Sequence, residues 1–390
     1  MAYLFSRAKK SVLLALVLVI LALTLQSLAE EPLKIWSYKA ESGITSVSVS
    51  ADGKYIVSSS KKSVYVLDNN GKELWKYYVG RDINSVSISA DGKYIAVGLE
   101  DYIVYLFDRD RKKLWKKETL GKVKSVSISA DGKYIVYGAS DNQVHFLDHK
   151  GNEKWNYTCG DVVDSVSIYE DKIGAGTWGG GIYLFDINGN NLWSNKTPNR
   201  RDIKSVSVFS EGIVASSTDG NIYLFDDTGN IKWIKNLGDY PLKSVSVTPD
   251  GKYIAVGSKD ANVYFFKITD KPEKQWSFWA RGDVLGVSIS NNGKYIASGS
   301  KAKNIYYLDS LITVPTPQPT PTTPTATVTQ TPTIPPAPTV PFTPKPTEIP
   351  TITPTLEPTE TESPSIPGFD IILAVIGLLI SLKVYRFKKR

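Results

Sequence analysis

Two of the nine tryptophans in this 390-residue sequence break an otherwise regular spacing, and both occur near arginines. Trp178 lies in the glycine-rich stretch TWGGGIY, and Trp279 lies in FWARGD. The charged residues of equivalent segments are Arg81, Asp82, Asp161, Arg200, Arg201, Asp202, Arg281 and Asp283. Because indole rings anchor ligands and arginine pairs with carboxylates, this combination favours binding over catalysis. A solvated charged rim is the alternative for such loops.

No arrangement of residues typical of catalysis, metal binding or phosphate binding stands out. Four aspartates precede glycine at the same turn of a repeated segment, and we interpret them as turn formers: Asp52, Asp91, Asp131 and Asp250. The glycines after Trp178 join two predicted strands and open no helix, so they do not indicate a phosphate loop. The single cysteine, Cys159, excludes an internal disulfide and is interpreted as structural. The sequence therefore predicts no catalytic residue, no metal site and no cofactor.

The net charge of +7 belongs to the ends of the chain. Residues 1–29 contain three basic side chains and residues 383–390 contain five, with no acidic residue in either segment. The residues between them therefore carry a net charge of −1. A body without excess positive charge does not indicate a nucleic-acid partner.

The elements that must position these residues come from an internal repeat. The segment SVSISADGKYIAVG returns, with small changes, at Ser46, Ser85, Ser125, Ser165, Ser205, Ser244 and Gly286. Each unit contains an alternating strand (SVSIS), a turn (ADG), a second strand (KYIAVGS), a nearly continuous apolar strand (NIYLFD) and a fourth strand that carries a tryptophan. The fourth-strand tryptophans are Trp36, Trp75, Trp115, Trp155, Trp193, Trp233 and Trp276.

Seven four-stranded units of about 40 residues predict an all-β fold, a seven-bladed β-propeller over residues 33–310. The seventh unit ends after its third strand, whereas LKIWSYK (residues 33–39) precedes the first complete unit. We predict that this N-terminal strand completes the last blade and closes the ring. In such a fold the loops with Trp178 and Trp279 emerge on one face.

The segment SVSVTPDGKYIAVGSKDANVYFF (residues 244–266) resembles a WD repeat, and GKELWKY (residues 71–77) resembles the fourth strand of a quinoprotein-type repeat. The resemblance implies the propeller fold and says little about function. WD repeats carry a Gly-His pair that bonds a turn aspartate. Asp141, Asp219 and Asp260 stand at that turn, but His145 and His149 are not at the place of the pair, so the aspartates are expected to lack a partner. Quinone-binding relatives use a cysteine pair, which this sequence does not have.

The two ends predict export and anchoring. Residues 1–29 have the basic, apolar and small-residue order of a signal peptide, with an uncleaved anchor as the alternative. Residues 314–366 are rich in proline and threonine and predict a disordered stalk. Residues 367–390 resemble the archaeal PGF-CTERM sorting signal, which implies cleavage near Pro367, Gly368 and Phe369 and a lipid anchor. A retained membrane helix is the alternative.

These features predict an anchored propeller on the extracellular face of the cell membrane that acts as a binding scaffold. The partner would be a cell-envelope protein or glycan, bound at Trp178 and Trp279 with Arg81, Arg200, Arg201 and Arg281 nearby. The alternative is an extracellular propeller enzyme, such as a glycan lyase or a dehydrogenase. Asn156 in NYT and Asn195 in NKT match the N-glycan acceptor pattern and are predicted glycosylation sites.

Overall fold

A computed structural model describes residues 31–313, which form 28 β-strands in seven antiparallel sheets of four strands. The first strands of blades 1 to 7 are β2 Ile44–Val49, β6 Ile83–Ile88, β10 Val123–Ile128, β14 Val163–Tyr169, β18 Ile203–Phe209, β22 Leu242–Val247 and β26 Val284–Ile289. The second strands are β3 Tyr55–Ser60, β7 Tyr94–Leu99, β11 Tyr134–Ala139, β15 Lys172–Thr177, β19 Gly212–Ser217, β23 Tyr253–Ser258 and β27 Tyr295–Ser300.

The third strands are β4 Ser63–Asp68, β8 Ile103–Asp108, β12 Gln143–Asp148, β16 Gly181–Asp186, β20 Asn221–Asp226, β24 Asn262–Ile268 and β28 Asn304–Asp309. The fourth strands of blades 1 to 6 are β5 Glu73–Tyr78, β9 Lys113–Glu118, β13 Glu153–Thr158, β17 Asn191–Lys196, β21 Ile231–Asn236 and β25 Pro272–Trp279. The fourth strand of blade 7 is β1, Leu33–Lys39, from the other end of the ring. The predicted seven-bladed, all-β architecture is confirmed.

The N-terminal strand closes the ring, as predicted. β1 pairs antiparallel with β28, from Leu33 opposite Asp309 to Lys39 opposite Asn304. Trp36 stacks on Tyr307 with ring centroids 5.2 Å apart, and its Nε1 donates to the carbonyl of Asn69 in blade 1 at 2.9 Å. Other fourth-strand tryptophans donate to the following blade in the same way, at Trp75, Trp115, Trp155, Trp193 and Trp276. The repeated indole thus joins neighbouring blades.

The serines of the first strands also join blades, which their small size alone did not predict. Consecutive first strands pack against each other around the axis. Ser46 Oγ accepts a hydrogen bond from the backbone N–H of Val86, and Ser48 Oγ accepts one from Ile88, both at 3.2 Å. The same bond recurs at Ser85, Ser87, Ser125, Ser127, Ser165, Ser167, Ser207, Ser244, Ser246 and Ser288. Because an innermost strand has no further strand to pair with, these hydroxyls satisfy its free N–H groups.

Glycines in the second strands allow neighbouring blades to approach. A Cβ atom at Gly299 would lie 2.1 Å from Ile44 Cγ2 in blade 1, and one at Gly176 would lie 2.4 Å from Ile203 Cγ2 in blade 5. The same register position is occupied by Gly98, Gly138 and Gly257, and by Ser59 and Ser216 in blades 1 and 5. At each of these five glycines, the β-branched residue that begins the next first strand therefore packs closely onto the backbone of the preceding blade.

The expectation that the turn aspartates lack a partner is wrong. Asp219 accepts a hydrogen bond from the Tyr223 hydroxyl at 2.5 Å, and Asp260 accepts one from Tyr264 at the same distance. In blade 3, Asp141 Oδ2 lies 3.1 Å from Nε2 of His145, which stands where the third strands of the other blades have tyrosine. The partner comes from the same hairpin, four residues after the aspartate, and not from a Gly-His pair in the preceding loop.

The predicted signal peptide, stalk and tail lie outside the described residues, and so do Pro367, Gly368 and Phe369. These assignments stay predictions. The helical content of residues 31–313 is one 3-10 turn, Trp178–Gly180, and nothing in this range is a helix long and apolar enough to cross a bilayer.

Candidate functional site

The two faces of the ring differ in what they expose. We call "upper" the face formed by the loops that leave the second and fourth strands, and "lower" the face formed by the loops that leave the first and third strands. The exposed large aromatic side chains of residues 31–313 all lie at the upper face: Tyr78, Tyr102, Trp178, Tyr240 and Trp279. The lower face carries short-range ion pairs, such as Asp52–Lys54 and Asp91–Lys93. Exposed aromatic groups collected on one face indicate an interaction surface.

Trp178 is held on the upper face by a glycine-rich turn. Its backbone N–H donates to the carbonyl of Val162 at 3.0 Å, and its side chain is 40% exposed. Gly180 has φ of +82°, and a Cβ there would lie 2.5 Å from Thr197 Oγ1, so the turn needs glycine. The Lys204 ammonium lies 5.7 Å from the centroid of the indole ring. Trp178 therefore presents an open aromatic surface beside a cation.

Trp279 lies in a different setting, at the end of β25. It lines a groove of about 340 Å³ with Arg281 and with Lys34 and Ser37 of the closing strand. The remaining lining residues are Phe278, Asn304 and Tyr306. The Trp279 side chain is 64% exposed, and Arg281 adopts φ of +63°, a backbone region that non-glycine residues seldom occupy. The structure thus brings Trp279 and Arg281 together, between blades 6 and 7.

The other predicted arginines have separate surroundings. Arg81 forms an ion pair with Asp101 at 2.9 Å, so its charge is compensated by a residue of its own face. Arg200 and Arg201 are exposed in the loop before β18 and form no ion pair within residues 31–313. None of these three lines the groove of Trp279.

A ring of residues at the upper end of the central channel is a feature that the repeat pattern did not reveal. Each first strand contains a β-bulge at its second residue, where the pairing with the second strand shifts. A bulge redirects the side chain of the extra residue. We call these seven residues the channel mouth: Thr45, Asn84, Lys124, Asp164, Lys204, Lys243 and Leu285. Their variety contrasts with the serine, valine and isoleucine that follow them, and this contrast is the sequence signal that was missed.

Most of the charges at the channel mouth are compensated. The Glu100 carboxylate forms ion pairs with Lys122 at 2.8 Å and Lys124 at 3.4 Å. It also accepts a hydrogen bond from the side-chain amide of Asn84 at 2.7 Å. Lys204 pairs with Asp164 of the neighbouring blade at 2.7 Å. These pairs tie adjacent blades together and leave little free charge on blades 2 to 5.

Blade 6 is the exception. Lys243 is half-buried and forms no ion pair within the described residues. Burial, together with the positive charges of Lys204, Lys259 and Lys301, lowers the pKa of Lys243 below its usual value. A half-buried cation that forms no ion pair and has other cations around it is the kind of group that a bound anion would stabilise.

Two other features carry no site chemistry. A cavity of about 430 Å³ lies at the lower rim between blades 5 and 6, and Trp233, Asp250 and Asp270 are among its lining residues. It is far in the fold from the upper-face aromatics. Cys159 is buried, and this burial raises the pKa of its thiol to about 12, so the thiol stays protonated near neutral pH. Within residues 31–313 no three metal-ligating side chains of the His, Cys, Asp or Glu type are grouped.

The two predicted glycosylation sites differ in accessibility. Asn156 and the hydroxyl-bearing Thr158 are both exposed on β13, at the outer edge of blade 3. Asn195 is also exposed, and both amides donate a hydrogen bond, from Asn156 to Glu153 Oε1 at 2.7 Å and from Asn195 to the carbonyl of Gly229 at 3.0 Å. The two sites differ at the threonine, because Thr197 is buried. We therefore expect glycan occupancy in native material to be higher at Asn156 than at Asn195. Peptide mapping by mass spectrometry measures both, and an unmodified Asn156 beside an occupied Asn195 would contradict this order.

Three family models match segments of the chain. The PQQ-type model described as outer membrane protein assembly factor BamB matches residues 29–199, and the lambda-carrageenase beta-propeller domain matches residues 173–275. The WD domain, G-beta repeat, matches residues 273–309. A comparison with curated proteins returned no match. The three models are all of propeller repeats, and together they cover the ring without a gap. With the seven closed blades, they identify the chain as a β-propeller repeat protein whose units are similar to WD and quinoprotein-type repeats.

Proposed function

We propose that the chain is a non-enzymatic binding scaffold whose upper face holds a cell-envelope glycan or protein. The observation that carries the proposal is the collection of exposed aromatic side chains on that face, with Trp178 and Trp279 the largest of them. An indole left in water contributes nothing to folding, whereas one that meets a ligand contributes a large apolar contact at low entropic cost.

A glycan is the favoured partner. The flat faces of Trp178 and Trp279 are suited to stacking on sugar rings. The groove of Trp279 also contains Arg281, which forms no ion pair within residues 31–313 and can pair with an acidic substituent. The similarity to a lambda-carrageenase propeller domain spans Trp178 and the neighbouring Lys204, which supports a carbohydrate partner over a protein.

The proposed location is the outer side of the cell membrane. The signal peptide, the Pro/Thr-rich stalk and the PGF-type tail of the sequence support export followed by C-terminal anchoring through a lipid or a helix. In this proposal the exported ring meets envelope components outside the cell.

The double change Trp178→Ala and Trp279→Ala tests the proposal. We expect capture of the partner from cell-envelope extract by the immobilised full-length chain to fall at least tenfold, about 1.4 kcal/mol. The melting temperature should change little, because neither indole belongs to one of the buried core clusters between the blades. Binding is measured on the same captured component before and after the change.

The matched control replaces two exposed apolar residues of the outer strands, Leu192→Ala and Ile234→Ala. This control should bind like the unmodified chain. Normal binding by the double tryptophan variant, or its failure to fold, would show that the upper face has another role.

A further inference from the structure

A line of cations crosses the upper face over blades 6 and 7. It begins at Lys243 at the channel mouth, continues with Lys259 after β23 and Lys301 after β27, and reaches Arg281 beside Trp279. We call these four cations, together with Trp279 at their outer end, the cationic track. Since adjacent strands lie about 4.8 Å apart, a track from the first to the fourth strand of a blade spans about 15 Å. That length accommodates several consecutive sugar units.

Acidic side chains pair with fewer of the cations in this track than with the cations elsewhere at the channel mouth. Lys301 pairs with Asp283 at 2.9 Å. By contrast, Lys243, Lys259 and Arg281 form no ion pair within residues 31–313. Asp260, the nearest acid in sequence, is occupied by the hydroxyl of Tyr264 and the backbone N–H of Asn262. The track therefore contains three cations that form no ion pair with a described acid.

This arrangement disfavours the charged form of Lys243. Its ammonium is partly removed from water and lies near Lys204, Lys259 and Lys301, each of which disfavours its charged form, whereas Asp164 acts in the opposite direction. Lys204 is already paired with Asp164. A fold under pressure for stability alone would place a neutral residue here, as blade 7 does with Leu285 and blade 1 with Thr45.

We infer that the cationic track binds an acidic polysaccharide, with an anionic substituent at Lys243 and Lys259 and a sugar ring against Trp279. This inference rests on the proposed function of the upper face and names the chemical class of its partner. Repeated anionic groups match a line of separate cations, and the exposed indole at the outer end of the track suits a sugar ring better than a further charge. Carboxylate and sulfate groups share the chemistry that the lysines recognise.

The test measures binding of the full-length chain to four polymers at fixed ionic strength: polygalacturonate, dextran sulfate, neutral dextran and poly-glutamate. We expect binding to at least one of the two acidic polysaccharides and none to dextran. The first two polymers distinguish carboxylate from sulfate. Binding to poly-glutamate equal to that of the better polysaccharide would overturn the inference in favour of an acidic peptide. Binding to neither acidic polysaccharide would overturn it outright.

The variant Lys243→Gln with Lys259→Gln should weaken binding of the acidic polysaccharide at least tenfold. The control Lys93→Gln with Lys133→Gln removes the same charge from ion-paired residues of the lower face and should change affinity less than twofold. Equal losses in the two variants would reveal a non-specific charge effect and refute the track. Since Lys259 is exposed, the single change Lys259→Gln provides a folded variant, expected to lose at least threefold, if the double variant does not fold.

Trp279→Ala separates this inference from the proposed function. If Trp279→Ala binds the acidic polysaccharide normally while the lysine variant does not, the role of the lysines is supported and the proposed stacking of a sugar ring on Trp279 is refuted. If the tryptophan changes abolish capture from envelope extract while the lysine variant captures normally, the proposed function stands and the acidic partner is refuted.

Discussion

Deletion of residues 32–39 is expected to abolish the single cooperative unfolding transition of the ring. The deletion removes the fourth strand of blade 7, leaves the edge of β28 unpaired and exposes Tyr307, on which Trp36 stacks. It also removes the indole hydrogen bond to Asn69, which connects blade 7 to blade 1. Because each blade packs on its two neighbours, an incomplete blade weakens two interfaces. Differential scanning calorimetry measures the loss, and a transition unchanged by the deletion would show that closure contributes nothing.

A single substitution measures the contribution of Trp36 to this closure separately from that of the whole strand. Trp36→Ala should cost about 3 kcal/mol, a fall in melting temperature of roughly 8 °C for a domain of this size. Trp279→Ala is the matched control, since this indole also lies on a fourth strand but is exposed, and it should leave the melting temperature unchanged. A synthetic peptide of residues 32–39, added to the truncated chain, should restore the transition, whereas the same peptide with alanine at position 36 should not.

Gly299→Ala should destabilise the ring by about 2–3 kcal/mol, a fall in melting temperature of roughly 6 °C. The added methyl group would lie 2.1 Å from Ile44 Cγ2 and 2.9 Å from Ile44 Cβ, so blade 7 and blade 1 would have to separate. The clash lies at the junction where the two ends of the ring meet, and the backbone there has no free space into which it can relax. Thermal unfolding monitored by far-ultraviolet circular dichroism measures the effect.

Ser216→Ala is the matched control at the same register position of blade 5. The Ser216 hydroxyl is buried and has no hydrogen-bond partner within residues 31–313. Its removal should be neutral or slightly stabilising, because an unsatisfied buried hydroxyl opposes folding. If Gly299→Ala proved as harmless as Ser216→Ala, the close approach of the blades would not be what requires glycine there.

The repeat made the architecture predictable. The recurrence of SVSIS and of the fourth-strand tryptophans defines seven units, and the missing strand of the last unit points to residues 33–39. What the pattern could not show is which partner each repeated residue meets. Ser46 was understood as small, but its hydroxyl bonds Val86 of the next blade. The WD pattern predicts a histidine partner for Asp219, whereas the hydroxyl of Tyr223 in the same hairpin donates to it. Such contacts depend on blade-to-blade geometry, which periodicity does not contain.

The candidate site was predictable only in part. The irregular positions of Trp178 and Trp279 singled them out, and the structure exposes both on the upper face. Lys204 and Lys243 were overlooked, because one variable residue within an otherwise regular strand looks like neutral variation. Their importance comes from the β-bulge that turns this position toward the channel mouth, which only the pairing of the strands reveals.

The pairing of β1 with β28 also sets the order of events when the chain is made. Leu33 emerges from the ribosome among the first residues of the ring, yet its partner Asp309 emerges last. At about 5–20 residues per second the strand waits on the order of tens of seconds with its hydrogen-bonding edge open. Joining two ends so far apart in sequence carries a large loop-closure entropy and makes folding slow. The segment that completes the finished ring is therefore the one most exposed to mispairing with a second copy during synthesis.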